Sequence, residues 1–266
     1  MVPVSIVIIT KNVADILPAC INKAKLITDD IVVIYNGSNH DENTGSAIDS
    51  CRIYNQKWEG YGANKNKGIA AAKYNWILSI DADEIPDDEL IKALHLIEYE
   101  NPRIVYDIRF KSYFGTKPIK FGRWGRDHHI RLFNRVAVKW NETMVHETLI
   151  IPAGTRVKKL AGGHLHHYSV NNAIAYKSKS NHYAKLSAEK YLQTGKTTNV
   201  IKLYISPLFG FIKNYIICLG FLDGREGLDI ALTTVKNTRL KYRLLSRMQT
   251  LGHKKQVTEE RFALEY

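Results

Sequence analysis

Apolar residues in the first part of the chain are grouped in short runs. Two of these runs, Val4–Ile9 and Asp30–Tyr35, are rich in β-branched residues and are of the kind found in parallel strands buried on both faces. Arg52–Asn55 predicts a further short strand. Helical patterns at Asp15–Ala24 and Ala63–Lys73 separate these runs. Strands that alternate with helices in this way predict a parallel, doubly wound α/β sheet.

The stretch Trp76–Glu84 predicts a buried strand that runs directly into acidic residues. Two of these acids, Asp81 and Asp83, are spaced i and i+2. Open α/β sheets bind ligands at the carboxyl ends of their strands, and two carboxylates there can hold a hard divalent cation that also contacts a phosphate. A solvated acidic turn is the alternative that the spacing alone leaves open.

Composition narrows the class of protein. The 266 residues are 45% hydrophobic and 24% charged, which fits one α/β domain with or without a C-terminal appendage. The 38 basic and 26 acidic residues give a net charge of +12, which favours a nucleotide, a nucleic acid or an acidic membrane as partner. Three widely spaced cysteines indicate a reducing cytosol and argue against a disulfide scaffold or structural zinc site. Neither a signal peptide nor a transmembrane helix is expected.

Several segments follow one another in the order and spacing of a known family. They are Val4–Asn12, Asn36–Ser38, Trp58–Asn66, Ser79–Glu84, Trp124 with Asp127, Arg131–Phe133, Val145–Glu147, His167–Ser169, Gly220–Gly224 and Gly227–Leu228. Together they resemble the family 2 glycosyltransferases with a GT-A fold. Within that family the chain looks most like the bacterial lipopolysaccharide inner-core β-1,4-glucosyltransferases. The resemblance covers nearly the whole chain.

The resemblance implies a GT-A fold, an α/β architecture with a Rossmann-like nucleotide-binding mixed sheet flanked by helices. It predicts a catalytic domain at 1–172 and a mainly helical extension at 173–266, which begins with a helix over Ala173–Tyr191. The implied reaction is metal-dependent, inverting transfer of a hexose, such as glucose, from a nucleotide-diphosphate sugar. The acceptor would be a bacterial surface glycan or glycolipid such as lipopolysaccharide core.

Other functions stay open at this point. The acceptor could instead be a capsule, a protein or a peptide, and the fold could serve as a noncatalytic nucleotide-binding scaffold. A nucleic-acid-binding module would use the same positive charge. However, the sequence has no helix-turn-helix, RNA-recognition or zinc-finger pattern, so no nucleic-acid partner is expected.

The resemblance also implies a divalent cation, Mg²⁺ or Mn²⁺, that stabilises charge on the leaving diphosphate. Asp83 would be its direct ligand, and Asp81 would help through the ribose or a bound water. His167 matches the family's histidine before a tyrosine and would be a third metal ligand. His164 and His166 are the alternatives, and strand alternation puts them on the face opposite His167.

Donor contacts are predicted at several positions. Thr10, Lys11 and Asn12 follow the first strand and would lie at the sheet edge. Lys65 falls where the family places a basic residue near the nucleotide, with a solvated helical lysine as the alternative. Many relatives carry an aspartate after the second strand, where it reads uracil, but this chain has Tyr35. The preference for uracil is therefore the property of the family that transfers least well to this chain.

An inverting transfer needs a base opposite the leaving group. The candidates are Asp127 and Glu147. In related enzymes the base precedes a glycine and then a histidine, and both follow Glu147, which is therefore the predicted base. A structural ion pair with Arg131 or His146 is the alternative role for Glu147. Asp127 is instead expected to be an acceptor-site or structural residue.

Phe114–Arg126 mixes aromatic residues, glycines and bases, a composition that predicts an acceptor-binding loop. Trp124 would stack on a sugar ring, while Arg126, with Arg131 beyond the loop, would meet acidic or phosphorylated acceptor groups. An ordinary basic loop is the alternative.

Val200–Leu222 is apolar but interrupted by Lys202, Pro207, Lys213 and Asn214. Such a segment suits a membrane interface better than a span, and the basic residues that follow it could meet anionic lipid. Packing on the catalytic domain or on a dimer partner is the alternative. The expected location is the cytoplasm, with peripheral association at the inner membrane.

Overall fold

The computed structural model describes residues 1–10, 16–35, 51–142 and 147–264, apart from the side chains of Ser169 and of residues from 252 onward. The strands are, in chain order, β1 (Val4–Thr10), β2 (Asp30–Tyr35), β3 (Arg52–Asn55), β4 (Trp76–Asp81), β5 (Glu84–Pro86), β6 (Ile104–Phe114), β7 (Lys117–Pro118), β8 (His128–Asn134), β9 (Lys139–Trp140), β10 (Leu149–Ile150), β11 (Arg156–Lys159) and β12 (Leu165–Val170). The helices are α1 (Leu17–Ala24), α2 (Tyr61–Ala71), α3 (Asp88–His95), α4 (Ala173–Gln193), α5 (Ser206–Phe211) and α6 (Gly224–Leu264).

The chain forms two compact units. The first unit comprises Met1–Tyr113 and Arg126–Ser169, and the second comprises Phe114–Gly125 and Val170–Tyr266. The second unit therefore includes a segment from the middle of the chain, which the sequence placed in the catalytic domain. The predicted boundary at residue 172 stays a prediction.

A mixed sheet forms the centre of the first unit. Its main path runs β3-β2-β1-β4-β8-β6-β12-β5. The four strands β3, β2, β1 and β4 are parallel, whereas β8 pairs antiparallel with both β4 and β6. All seven residues of β1 are buried, as its continuous β-branched sequence predicts. The fold is the expected α/β sheet with helices on its faces, followed by a mainly helical C-terminal region.

Alternate residues of β1 point to opposite faces of the sheet and enter two separate cores. Ile6 and Ile8 pack in one core with the apolar sides of α1 and α3, and Val7 and Ile9 pack in the other with α2 and Trp140. The sheet is therefore covered on both faces, and the carboxyl ends of its parallel strands remain as an edge where side chains can converge.

Two helices begin at positions other than those predicted. The part of the first predicted helix that the structure describes starts at Leu17, and Asp15 lies outside the described residues. Helix α2 starts at Tyr61, two residues before the predicted Ala63, because Gly60 takes a φ of 108° and ends the preceding loop. The pattern missed this start because the first turn of α2 carries no apolar stripe.

The second unit is built on the helix pair α4 and α6, around a small core of Phe114, Ile119, Val170 and Ile230. Helix α4 confirms the predicted helix from Ala173. The following apolar segment, Val200–Leu222, is helical from Ile201 to Ile217, with α5 between two π-helical turns.

No single helix within the described residues is both long enough and apolar enough to cross a bilayer. Ile201–Ile217 and Gly220–Leu251 meet that criterion only as a pair, and the pair is bent by 71°.

Buried polar side chains fix the segment Phe114–Gly125 within the second unit. The carboxylate of Asp223 accepts hydrogen bonds from the backbone N–H groups of Lys120 and Phe121, at 3.0 and 2.9 Å. The side-chain oxygen of Asn214 accepts one from the N–H of Arg123 at 2.7 Å. The Gly220–Gly224 motif, which contains Asp223, therefore has a structural role in shaping this loop.

Candidate active site

The ends of three parallel strands bring predicted donor residues together. Thr10 at the end of β1 is directly opposite Tyr35 at the end of β2, and the neighbouring Ile9 is opposite Asp81 at the end of β4. Thr10 and Tyr35 are both buried. Lys11 and Asn12, which follow β1, lie outside the described residues.

Lys65 is the centre of a buried charge network. Its side chain is only 1% exposed, and its Nζ lies 2.9 Å from Glu147 Oε1 and 3.2 Å from Asp81 Oδ1. The ammonium also lies 4.5 Å from the centre of the Trp140 ring. A solvated helical lysine, the alternative left open by the sequence, is therefore wrong. Lys65 joins the predicted base to a predicted donor carboxylate.

The Trp58–Asn66 motif explains how α2 brings Lys65 to this position. The Asn66 side chain donates to the carbonyl of Trp140 at 2.9 Å and accepts from its N–H at 3.1 Å. At Gly62 an added Cβ would lie 1.8 Å from the carbonyl oxygen of Asn141, so only glycine permits this contact. No sequence pattern other than the motif itself indicates these contacts.

Arg131 holds two further carboxylates. Its Nη2 pairs closely with Glu84 Oε1 and lies 3.4 Å from Asp81 Oδ2. The other oxygen of Glu84 accepts the backbone N–H of Asp81 at 3.0 Å. Glu84 is a site residue that the sequence reasoning missed, because only the fold brings it to Arg131. The predicted acceptor role of Arg131 stays a prediction.

Burial and neighbouring charges act in opposite directions on these carboxyl groups. Burial raises the pKa of Glu84 to about 7, although Arg131 opposes the rise. Burial would also raise the pKa of Asp81, but Lys65 and Arg131 outweigh it and hold that pKa well below its usual range. Asp81 is therefore ionised throughout the neutral range.

Asp83 and His167 form a pair on the exposed side of this network, with 3.6 Å between Asp83 Oδ2 and His167 Nε2. Burial lowers the pKa of His167, but the neighbouring Asp83 carboxylate outweighs this effect and raises the pKa above its ordinary value. His164 and His166 instead each lie 3.5 Å from Asp87. His166 and His167, which are neighbours in β12, thus approach different aspartates, as strand alternation predicts, and His164 lies just before the strand.

Two side chains of this region, Asp83 and His167, could contribute ligands to a divalent cation. Among the described residues no group of three or more His, Cys, Asp or Glu side chains is arranged to hold a metal. Asp83 and His167, however, place a carboxylate and an imidazole 3.6 Å apart. Lys65 and Arg131 face four carboxyl groups, Asp81, Asp83, Glu84 and Glu147, so acidic groups outnumber these two basic ones. A divalent cation would offset part of the negative charge, with diphosphate oxygens as further ligands.

Glu147 lines a cleft of about 340 Å³ together with His129, Arg131 and Trp140. Its side chain is 17% exposed, and its ion-pair partner is Lys65. His146, an alternative partner, lies outside the described residues. Glu147 is thus a carboxylate that is held by a cation and reaches a cavity large enough for part of a sugar.

Asp127, the other base candidate, has a different environment. It lies 3.1 Å from His129 and is 37% exposed. Burial would raise the pKa of Asp127, but the His129 contact outweighs this and holds it below its ordinary value. Its role at the acceptor site or in the structure stays a prediction.

The two remaining acceptor candidates lie on either side of the boundary between the units. Trp124 belongs to the second unit, where its ring packs near Phe114 and Tyr176, with centroid distances of 6.3 and 5.3 Å. Arg126 begins the return of the chain to the first unit. The stacking of a sugar on Trp124 and the contact of Arg126 with an acidic group stay predictions.

Comparisons with known proteins identify the family. The profile of glycosyl transferase family 2 matches residues 5–178. The chain therefore belongs to that family and is a glycosyltransferase.

An uncharacterised glycosyltransferase of Rickettsia prowazekii is 25% identical over 85% of this chain and 81% of its own length. The lipopolysaccharide core biosynthesis glycosyltransferase LpsC of Rhizobium meliloti is 24% identical over 92% of this chain and 95% of its own. A crystal structure of S. aureus TarS in complex with UDP covers 94% of this chain and 91% of that chain at 13% identity, with a TM-score of 0.47.

Proposed function

We propose that this protein transfers a hexose from a nucleotide-diphosphate sugar to a bacterial surface glycan such as lipopolysaccharide core. Glucose is the first candidate for the hexose. The observation that carries the proposal is the buried Lys65, which joins Asp81 at the sheet edge to Glu147 in the cleft. The name of the Rhizobium meliloti relative supports the acceptor class. We place the reaction in the cytoplasm, at the inner face of the inner membrane.

The donor would bind at the carboxyl edge of the parallel strands, where Thr10, Tyr35 and Asp81 lie. Asp83 and His167 would hold a Mg²⁺ or Mn²⁺ ion. When bound, that ion supplies stabilisation of the negative charge on the departing diphosphate. Tyr35 occupies the position at which many relatives have an aspartate that contacts uracil. Its aromatic ring could stack on the nucleotide base, so a base other than uracil is compatible with the site.

Glu147 would act as the general base. Lys65 contacts its Oε1, and Oε2 would take the proton of an acceptor hydroxyl. The hydroxyl oxygen then forms a bond to the anomeric carbon as the bond to the diphosphate breaks on the opposite face. The product therefore carries the inverted anomeric configuration.

Calorimetry tests the donor site. A panel of nucleotide diphosphates and nucleotide sugars is titrated into the protein with Mn²⁺, with Mg²⁺ and with chelator. We expect one nucleotide to bind in a metal-dependent way, and Asp83→Ala to abolish that dependence. His167→Gln should weaken metal-dependent binding, whereas His166→Gln, on the opposite face of β12, is the matched control and should leave it unchanged.

The stereochemistry of the product tests the reaction. Nuclear magnetic resonance of the new glycosidic bond should show inversion relative to the donor. Retention of configuration would contradict a single displacement and with it the assignment of Glu147. Failure of every nucleotide to bind would contradict the proposed donor class while leaving the fold unaffected.

A further inference from the structure

The apolar segment Val200–Leu222 exposes an unusual amount of hydrophobic surface. Of the 23 large hydrophobic side chains that are exposed among the described residues, 12 lie in this segment. Scattered exposed hydrophobic residues are normal in folded proteins, but a contiguous set marks a surface that binds something.

Five of these side chains follow a helical spacing. Ile201, Ile205, Phe209, Ile212 and Ile216 recur at intervals of three or four residues, and each is exposed. Because side chains at this spacing share a helix face, they form a continuous apolar strip.

The opposite side of the segment is already engaged within the second unit. Pro207, Asn214 and Cys218 are buried. The carbonyl of Cys218 accepts the N–H of Gly122 at 2.9 Å, and Asn214 accepts that of Arg123. These contacts fix which face of the segment is turned outward, so the exposed strip is a defined surface of the fold.

Charge indicates the chemistry of the partner. No aspartate or glutamate occurs from Lys190 to Leu222, whereas four lysines do, at positions 190, 196, 202 and 213. An apolar strip that contains Lys202 and Lys213 and no acidic residue complements a surface with an acyl interior and anionic headgroups. The net charge of +12 adds long-range attraction to such a surface.

We propose that Val200–Leu222 is a membrane-docking surface that lies in the headgroup region of an anionic lipid bilayer. Lys202 and Lys213 interrupt the apolar segment, which suits a position in the headgroup region. This docking surface adds a partner to the proposed function, but it can be tested without any sugar donor.

Vesicle flotation with the full-length protein measures the interaction. The vesicles are phosphatidylcholine alone or phosphatidylcholine mixed with phosphatidylglycerol. We expect the protein to float with the mixed vesicles and much less with the neutral ones. The double variant Ile205→Gln/Phe209→Gln should lower the partition coefficient by about tenfold or more.

Two further variants separate the apolar and electrostatic contributions. Lys202→Gln/Lys213→Gln should lower binding to anionic vesicles by about 25-fold, from about fivefold for each lysine, with little effect on neutral vesicles. The control is Leu96→Gln/Ile174→Gln, which replaces two apolar residues elsewhere that are even more exposed than Ile205 and Phe209, and it should leave binding unchanged. Thermal melts of each variant verify that it is folded.

Three outcomes would overturn the proposal. One is failure of the folded protein to float with either type of vesicle. Another is equal loss of binding in the control and in Ile205→Gln/Phe209→Gln. The third is a dimer in sedimentation analysis that this double variant dissociates, without any vesicle binding, since the strip would then bind a second copy of the chain. Because none of these readings involves nucleotide, they are independent of the calorimetric test of the donor.

Discussion

The two units depart from ordinary burial in opposite ways. In the first unit, charged side chains such as Lys65 and Glu84 are almost completely buried, whereas in the second unit large hydrophobic side chains of Val200–Leu222 are exposed. Each arrangement costs stability unless something compensates it. Inside the first unit the compensation is mutual, because each buried charge has an opposite partner. For the exposed strip, the proposed anionic membrane would supply the compensation. The two units thus differ in how their unusual residues are stabilised: the buried charges have partners within the chain, whereas the exposed apolar strip is proposed to bind a membrane.

The largest expected effect is on catalysis, at the cleft end of the buried network. Glu147→Gln removes the proton acceptor but keeps a group of the same shape beside Lys65. We expect the transfer rate to fall by about 10²–10⁴-fold, while donor binding by calorimetry stays unchanged. Glu142→Gln, an exposed neighbour, serves as the control and should transfer normally. Full activity of Glu147→Gln would remove Glu147 from the role of base.

Removal of the central cation tests the mutual compensation directly. Lys65→Met removes the cation that joins Glu147 to Asp81 and leaves Asp81 with Arg131 alone, so we expect the free energy of unfolding to fall by about 3–5 kcal/mol. Lys67→Met on the same helix breaks only a more exposed pair with Glu59, at 2.8 Å, and should cost less than about 1 kcal/mol. Urea unfolding compares the two. Equal losses would mean that the buried network does not form in solution.

Glycine substitution contrasts the tight packing of the first unit with the open surface of the second. Gly62→Ala would place a methyl group against the carbonyl of Asn141, and we expect a loss of about 1–3 kcal/mol. Gly210, in α5, has nothing within 4 Å of an added Cβ. Gly210→Ala should therefore leave stability unchanged or raise it by up to about 1 kcal/mol. A larger loss of stability for Gly210→Ala than for Gly62→Ala would contradict the tight packing at Gly62 and the open surroundings of Gly210.

The smallest effect is expected on the exposed strip itself. Ile212→Gln should change the free energy of unfolding by less than about 0.5 kcal/mol, because the side chain has little to lose. Ile230→Ala, in the core of the same unit, should cost about 2–5 kcal/mol. Thermal or urea unfolding in the absence of lipid measures both. A large loss for Ile212→Gln would show that the strip is covered in solution without a membrane.

Local sequence was sufficient for the elements of the sheet. The β-branched runs predicted β1 and β2, and the strand before Asp81 placed acidic residues at the carboxyl edge. Helix α2 was misplaced by two residues because its start depends on the backbone conformation of Gly60, which periodicity does not report. Its Lys65 was expected near the nucleotide, but its burial was not foreseen.

The side-chain partners could not be read from the sequence. Lys65 and Glu147 are 82 positions apart, and Glu84 and Arg131 are 47 apart. Such pairs form only after the strands have set their register, so no local pattern encodes them. The motif resemblance did identify Glu147 and Lys65 separately, but only the fold shows that they are ion-paired. Glu84 was missed because its partner comes from β8, on a separate part of the chain.

The excursion of Phe114–Gly125 into the second unit has a consequence for how the gene can change. The chain leaves the first unit after Tyr113, returns at Arg126 and leaves again after Ser169, so the units do not correspond to two consecutive stretches of DNA. A recombination event that replaced only the C-terminal helices would separate the loop from Asp223 and Asn214, which hold its backbone. The second unit is therefore encoded by two separate stretches of the gene. An exchange of this unit between related genes would have to transfer both stretches to preserve these contacts.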